Sequence, residues 1–145
     1  MATSMEPTVG RFSVELDLTN DADLVKAEEG TIAPGEVRRA TVRGVVDSGA
    51  ALLVIPESVV RQLGLKASKR TQVRYADGRT AERDVVDRLR LTYAGRNAVF
   101  QAIVEPARET ALIGAIVLEA LDLIVDWRHG SLLPRDPQTT IYEIE

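Results

Sequence analysis

Val45-Val46-Asp47-Ser48-Gly49-Ala50 is the stretch on which the reading of this chain turns. An acid directly after two strand-forming valines is unusual, because a lone carboxylate is costly to take out of water. Gly49 lets the backbone turn sharply and lets other groups approach it closely. The Ser48 hydroxyl can both donate to and accept from nearby backbone. The combination fits a carboxylate held at the tip of a tight loop. Asp-Ser-Gly alone is also an ordinary turn signal, so the flanking sequence has to decide between the two.

Downstream, Leu52 to Ile55 is a short apolar run that reads as a buried strand. Pro56 then pre-sets a helix start, Val59, Val60 and Leu63 share one helical face, and Gly64 is placed to end it. Upstream, residues 36–46 read as a strand that becomes continuously apolar just before Asp47. From Val9 to Leu18 the chain alternates, with Phe12, Val14, Leu16 and Leu18 on one face of a half-buried strand. Asn20-Asp21 and Pro34-Gly35 read as turns. Residues 71–76 and 79–93 look extended around Asp77-Gly78, a strong hairpin signal. Ala98 to Val104 follows as a strand after the turn at residues 94–97. Ala111-Leu112-Ile113-Gly114 is a short apolar strand ending in glycine, and residues 116–121 suggest a second short helix. Strands at 123–125 and 131–133 complete a mainly β chain with one or two short helices. We expect an N-terminal tail over residues 1–8, one domain over 9–134, and a C-terminal extension over 135–145 whose β-prone Thr140 to Ile144 would suit an edge or interface strand.

The chain has 145 residues, enough for one domain with its own core. A net charge of -4 argues against a nucleic-acid partner, which would require a basic face. The basic run from Lys66 to Arg74 is short and interrupted and reads as a solvated strand face. There are no cysteines, which excludes disulfides, thiolate chemistry and cysteine zinc sites. The single histidine, His129, stands beside Gly130 and reads as an exposed turn residue rather than a triad base or metal ligand. No metal and no cofactor are expected. No stretch is long and apolar enough to span a bilayer, and residues 1–8 lack signal-peptide features, so a cytoplasmic location without a membrane partner is expected.

Asp47-Ser48-Gly49-Ala50, the later Leu112-Ile113-Gly114 before a helix, and a glycine-bearing hairpin at Tyr75-Ala76-Asp77-Gly78-Arg79 between them occur in a fixed order. In this the chain resembles the retropepsin-like aspartic proteases, the family of retroviral proteases and their cellular and bacterial relatives, over residues 9–134. The resemblance implies a single-domain acid-protease β-barrel that works as a homodimer. It implies that Asp47 is the catalytic carboxylate, with Ser48, Gly49 and Ala50 forming the active-site loop and the Ser48 hydroxyl bracing two such loops across the dimer axis. It also implies that Gly114 packs beneath that loop and that Tyr75, Ala76, Asp77, Gly78 and Arg79 form the flap. Arg74 and Arg79 flank the flap tip, where they read first as solubilising charges and second as a preference for acidic or polar substrate residues.

The chemistry of this family needs two carboxylates sharing one proton around one water. This chain carries one Asp-Ser-Gly, and its length leaves no room for a second lobe. Val125-Asp126 is followed by Trp127-Arg128 and cannot form the same loop, so Asp126 reads as a strand-end acid. A second copy of the chain is therefore expected as partner, with a peptide or protein as substrate. Two features depart from the retroviral pattern. The acid usual after the loop and the arginine usual after the second glycine are replaced by Ala51 and Ala115, so neither leaves an orphan charge. Ala50 also lacks a hydroxyl for the outer carboxylate oxygen, from which we expect a working range of about pH 4–6.5. The alternative is a non-catalytic retropepsin-like dimerisation or peptide-binding module.

Overall fold

Alternation of apolar and polar residues commits most of this chain to strands, and the computed structural model, which describes residues 11–47 and 49–145, shows how they close. The strands are β1 (Arg11–Asn20), β2 (Arg39–Asp47), β3 (Leu53–Pro56), β4 (Ala67–Arg74), β5 (Thr80–Tyr93), β6 (Arg96–Glu105), β7 (Ala111–Ile113), β8 (Leu123–Asp126) and β9 (Ser131–Pro134). The helices are α1 (Asp21–Glu28), α2 (Glu57–Leu63) and α3 (Ala115–Ala120), with a single 3-10 turn at Pro34–Glu36. The large sheet runs β1-β2-β7-β3-β6-β5-β4, and β1 also pairs with β5. That extra pairing closes six strands into a barrel and leaves β4 outside it, as the outer strand of a hairpin with β5. β8 and β9 form a separate antiparallel pair.

The period-two pattern of β1 holds from Arg11 to Leu18, with Val14 half-buried, and stops at Thr19 and Asn20, which are both buried. Phe12, Leu16 and Leu18 are buried, while Arg11, Ser13, Glu15 and Asp17 face water. The barrel interior takes inward side chains from several strands, including Leu16, Leu18, Val46, Leu53, Ile55, Leu89, Leu91 and Ile113, all essentially inaccessible. Each such side chain contributes about 1.5–3 kcal/mol by leaving water. α2 closes one side with Val59 and Leu63, and ends at Gly64, whose φ of +65° places it in the left-handed region that glycine adopts without a side-chain clash.

Three local readings change. Pro56 ends β3 and caps α2 rather than opening its first turn. The second strand starts at Arg39, because Pro34–Glu36 is taken up by the 3-10 turn. Asn20-Asp21 begins a third short helix instead of a turn. The Asn20 Oδ1 accepts from the Asp23 N–H at 3.0 Å, and its Nδ2 donates to the Leu63 carbonyl at 2.8 Å, so one side chain caps α1 and ties it to the end of α2. Asp21 and Asp23 lie in the first turn, where the helix dipole favours negative charge. The buried Asp23 carboxylate takes the Arg38 backbone N–H, Nε and Nη2 at 3.1, 2.8 and 2.9 Å. Those bonds hold it below the usual carboxylate range, at about 2.

Candidate active site

β2 and β7 run parallel, with Val45 opposite Leu112 and Val46 opposite Ile113. This register brings the two most informative sequence stretches together. The chain leaves β2 at Asp47 and turns back, and the Ala50 N–H donates to the Asp47 carbonyl at 3.1 Å. The Gly49 N–H donates to Asp47 Oδ1 at 2.9 Å. Asp47 Oδ2 accepts from Arg11 Nη2 at 3.0 Å, across the β1–β2 register in which Arg11 and Asp47 are partners. The Asp47 side chain is 19% exposed and that of Arg11 61%. Asp47 thus sits at the surface of the barrel end with both carboxylate oxygens engaged. Ser48 lies outside the described residues.

β7 ends at Ile113, and the next residue, Gly114, caps α3. The first N–H groups of a helix have no partner within it. Here the Ala115 and Ile116 N–H groups donate to the carbonyls of Ala50 and Ala51, at 2.9 and 3.0 Å. The loop after Asp47 is thereby stitched to the start of α3. So close an approach requires a residue without a side chain: a Cβ at Gly114 would lie 2.5 Å from the Leu52 carbonyl oxygen and 2.6 Å from the Leu52 nitrogen. Gly114 is buried directly against Ala51 and Leu52, in the segment that follows the loop.

The β4–β5 hairpin carries the third stretch. Its turn spans Tyr75 to Arg79, closed by the Tyr75 N–H to the Arg79 carbonyl at 2.8 Å and the Gly78 N–H to the Tyr75 carbonyl at 2.9 Å. Asp77 folds back onto Arg79, accepting from its backbone N–H at 2.9 Å and its Nε at 2.8 Å, and this holds the Asp77 carboxyl below its ordinary value. The Tyr75 hydroxyl donates to Glu105 Oε2 at 2.7 Å, and Arg83 Nε donates to Glu105 Oε1 at 2.9 Å. The bond to Glu105 is the main reason the Tyr75 phenol is pushed up. Arg79 stacks over the Tyr75 ring, 4.9 Å from its centroid.

Between hairpin and loop lies a cavity of about 690 Å³. Ala50, Leu52, Val54, Ile103 and Leu112 give it an apolar floor, and Tyr75 and Arg79 reach it from the hairpin. The structure therefore joins one residue or more from each of the three sequence stretches around one space. Asp47, Gly49, Ala76, Asp77, Gly78, Ile113 and Gly114 are not among its walls. Ile113 and Gly114 are buried, and Ala76, Asp77 and Gly78 at the hairpin tip are exposed. Sequence reasoning missed Arg11, Arg83, Glu105 and Arg108. Each comes to the site by strand pairing or loop placement; for the strand residues Arg11, Arg83 and Glu105 the available hint was charge within a β-prone run, and for Arg108 in its loop there was none.

His129 and Asp126 do not line this cavity: Asp126 ends β8, and His129 is exposed in the turn after it, with its Nδ1 2.8 Å from Asp126 Oδ2. Among the described residues no cluster of acids and histidines has the arrangement of a metal site, and no helix is long and apolar enough to cross a membrane.

Comparison with known proteins agrees with this geometry. No curated protein sequence matches the chain. Among solved structures, it is similar to the EIAV protease complexed with the inhibitor HBY-793, with a TM-score of 0.52 and 14% identity, over 75% of this chain and 86% of that one. The likeness is one of fold: a retropepsin barrel. The aspartyl protease family pattern matches residues 33–117, which include Asp47, the hairpin and Gly114. The chain belongs to the retropepsin-like aspartyl protease family.

Proposed function

We propose that this protein is a homodimeric aspartic endopeptidase in which Asp47 of each chain supplies half of the catalytic pair. The observation that carries this reading is the placement of Asp47. Its carboxylate stands at the partly exposed end of β2, on a loop stitched to α3, beside an apolar cavity covered by a hairpin. Two such carboxylates about 3 Å apart cannot both ionise cheaply and would share one proton. The charged one takes a proton from water as the water oxygen attacks the scissile carbonyl carbon, and the protonated one donates to the carbonyl oxygen. Collapse of the tetrahedral intermediate breaks the C–N bond, and the leaving nitrogen takes a proton from the carboxyl pair. An extended peptide would lie between hairpin and loop, held by strand-like backbone bonds.

Exposed apolar surface supports the need for a second copy. Ile124 and Leu133 are register partners on the open face of β8–β9, and both are more than 40% exposed, as is Ile116 on α3. Such a patch is suited to an interface. The extension over 135–145 forms no strand within the single chain and adds Ile141, Tyr142 and Ile144 to the exposed apolar set. We read it as a further interface segment beyond a domain spanning 9–134. The cysteine-free sequence is compatible with a cytoplasmic setting.

The alternative is a non-catalytic dimerisation or peptide-binding module. The contact between Arg11 and Asp47 favours it, because a carboxylate oxygen held by an arginine is less available to a water. Light scattering after size exclusion, over a range of concentrations, tests the dimer that both readings require, and a strict monomer at high concentration would count against both. Cleavage of peptides by wild type and not by Asp47→Asn separates them.

A further inference from the structure

The cavity beside Asp47 carries a charge opposite to that of the chain. The protein has a net charge of -4, yet the cavity wall includes four arginines, Arg74, Arg79, Arg83 and Arg108, and a single acid, Glu105. That acid is fully engaged: one oxygen accepts from Arg83 and the other from Tyr75. Arg79 is matched by Asp77 in its own turn. Arg108 donates only to neutral acceptors, the Thr110 carbonyl at 2.8 Å and the Thr110 hydroxyl at 3.0 Å. Among the described residues neither Arg74 nor Arg108 has an ion-pair partner. The two come from different parts of the chain, one from the end of β4 and the other from the loop between β6 and β7, and they border the same space.

An apolar floor under a cationic rim selects by two separate means. Leu52, Val54, Ile103 and Leu112 offer an aliphatic side chain apolar contact and a partial escape from water. The rim arginines attract carboxylates, with a planar fork that suits them, and an overall acidic protein with a basic cleft concentrates field there. We infer that the cleft takes an acidic peptide segment, seating an aliphatic side chain on the floor while Arg74 and Arg108 bind carboxylates on flanking residues. This rests on the proposed reading of the cleft as the substrate site, and it assigns that site a substrate class.

The test uses full-length Asp47→Asn protein, so that binding is read without turnover. Fluorescein-labelled nonapeptides carry a central valine or leucine, flanked either by glutamates or by glutamines at the same positions. Fluorescence anisotropy is expected to show the glutamate peptides binding about fivefold tighter at low salt, with the advantage shrinking as salt rises. Adding Arg74→Gln and Arg108→Gln should remove the advantage while leaving the affinity for glutamine peptides nearly unchanged. Equal binding of the two peptide sets, binding of neither, or an advantage that survives the two arginine substitutions would overturn the inference. The protease reading stands or falls separately. Wild type that cleaves a mixed pool without enrichment of acidic flanks sinks the specificity and keeps the protease. Arginine-dependent binding without any cleavage keeps the specificity and sinks the protease.

Discussion

Asp23 and Asp47 each meet an arginine, and the two contacts differ in kind. Asp23 is 4% exposed, stands in the first turn of a helix and takes three donors from Arg38. Asp47 is partly open, takes one donor from a mostly exposed Arg11 and one from Gly49, and stands where the chain turns away from a strand. The first carboxylate is fixed by its ion pair. The second is fixed by its backbone: the Ala50 and Ala51 carbonyls stitched to α3, and the close approach of Gly114. Asp23 is held by saturating its oxygens, whereas Asp47 is held mainly by the chain that carries it, the arrangement that the proposed catalytic reading requires.

The largest effect should come from breaking that backbone support. Gly114→Ala places a methyl 2.5 Å from a carbonyl oxygen that cannot swing aside. Chemical denaturation should show a loss of about 3 kcal/mol or more, and any peptidase activity should fall with it. A variant as stable as wild type would mean that the loop and α3 are not locked together.

Next in size is the contrast between the two arginines. Arg38→Ala leaves Asp23 with only a backbone donor from residue 38, and should cost about 2 kcal/mol, as the loss of charge-assisted hydrogen bonds to a carboxylate does when the arginine itself is half exposed. Arg11→Ala should cost less than about 1 kcal/mol, as exposed pairs do. Equal losses would erase the distinction drawn between the sites. Acid sharpens it further. The Asp23 carboxyl titrates at about 2 in the folded protein, below its ordinary 3.8. Its contribution is therefore fully present above about pH 4 and is lost as pH falls through 2. The stability gap between wild type and Asp23→Asn should be constant from pH 7 to 4.5 and close toward pH 2.

How far each region was legible in the sequence follows the same division. The Asp47 loop, the Leu112-Ile113-Gly114 stretch and the hairpin around Asp77-Gly78 could be read because their signals are local: a glycine next to an acid, or a glycine after an apolar pair. Strand parity in β1 was legible for the same reason, since period two needs no partner. α1 was not, because residues 21–28 carry no apolar stripe and Val25 is left exposed. Its only announcement is the cap at Asn20, and Asn-Asp is equally a turn signal. The Asp23–Arg38 pair and the Tyr75–Glu105–Arg83 cluster were invisible, since nothing in a single sequence states which strands will be neighbours. The parallel pairings of β2 with β7 and β3 with β6 are long-range choices of that kind. They put Leu112 beside Val45 and Glu105 within reach of the hairpin.

The most direct measurement is cleavage of a diverse peptide pool from pH 3.5 to 7.5 by wild type and Asp47→Asn side by side, both checked for equal dimer content and equal thermal stability. An aspartic peptidase built on a shared carboxylate pair predicts cleavage by wild type alone, at least about 10³-fold above the variant, with greatest activity between about pH 4 and 6.5. Equal cleavage by the two, or none by a verified wild-type dimer, would contradict the catalytic role given to Asp47.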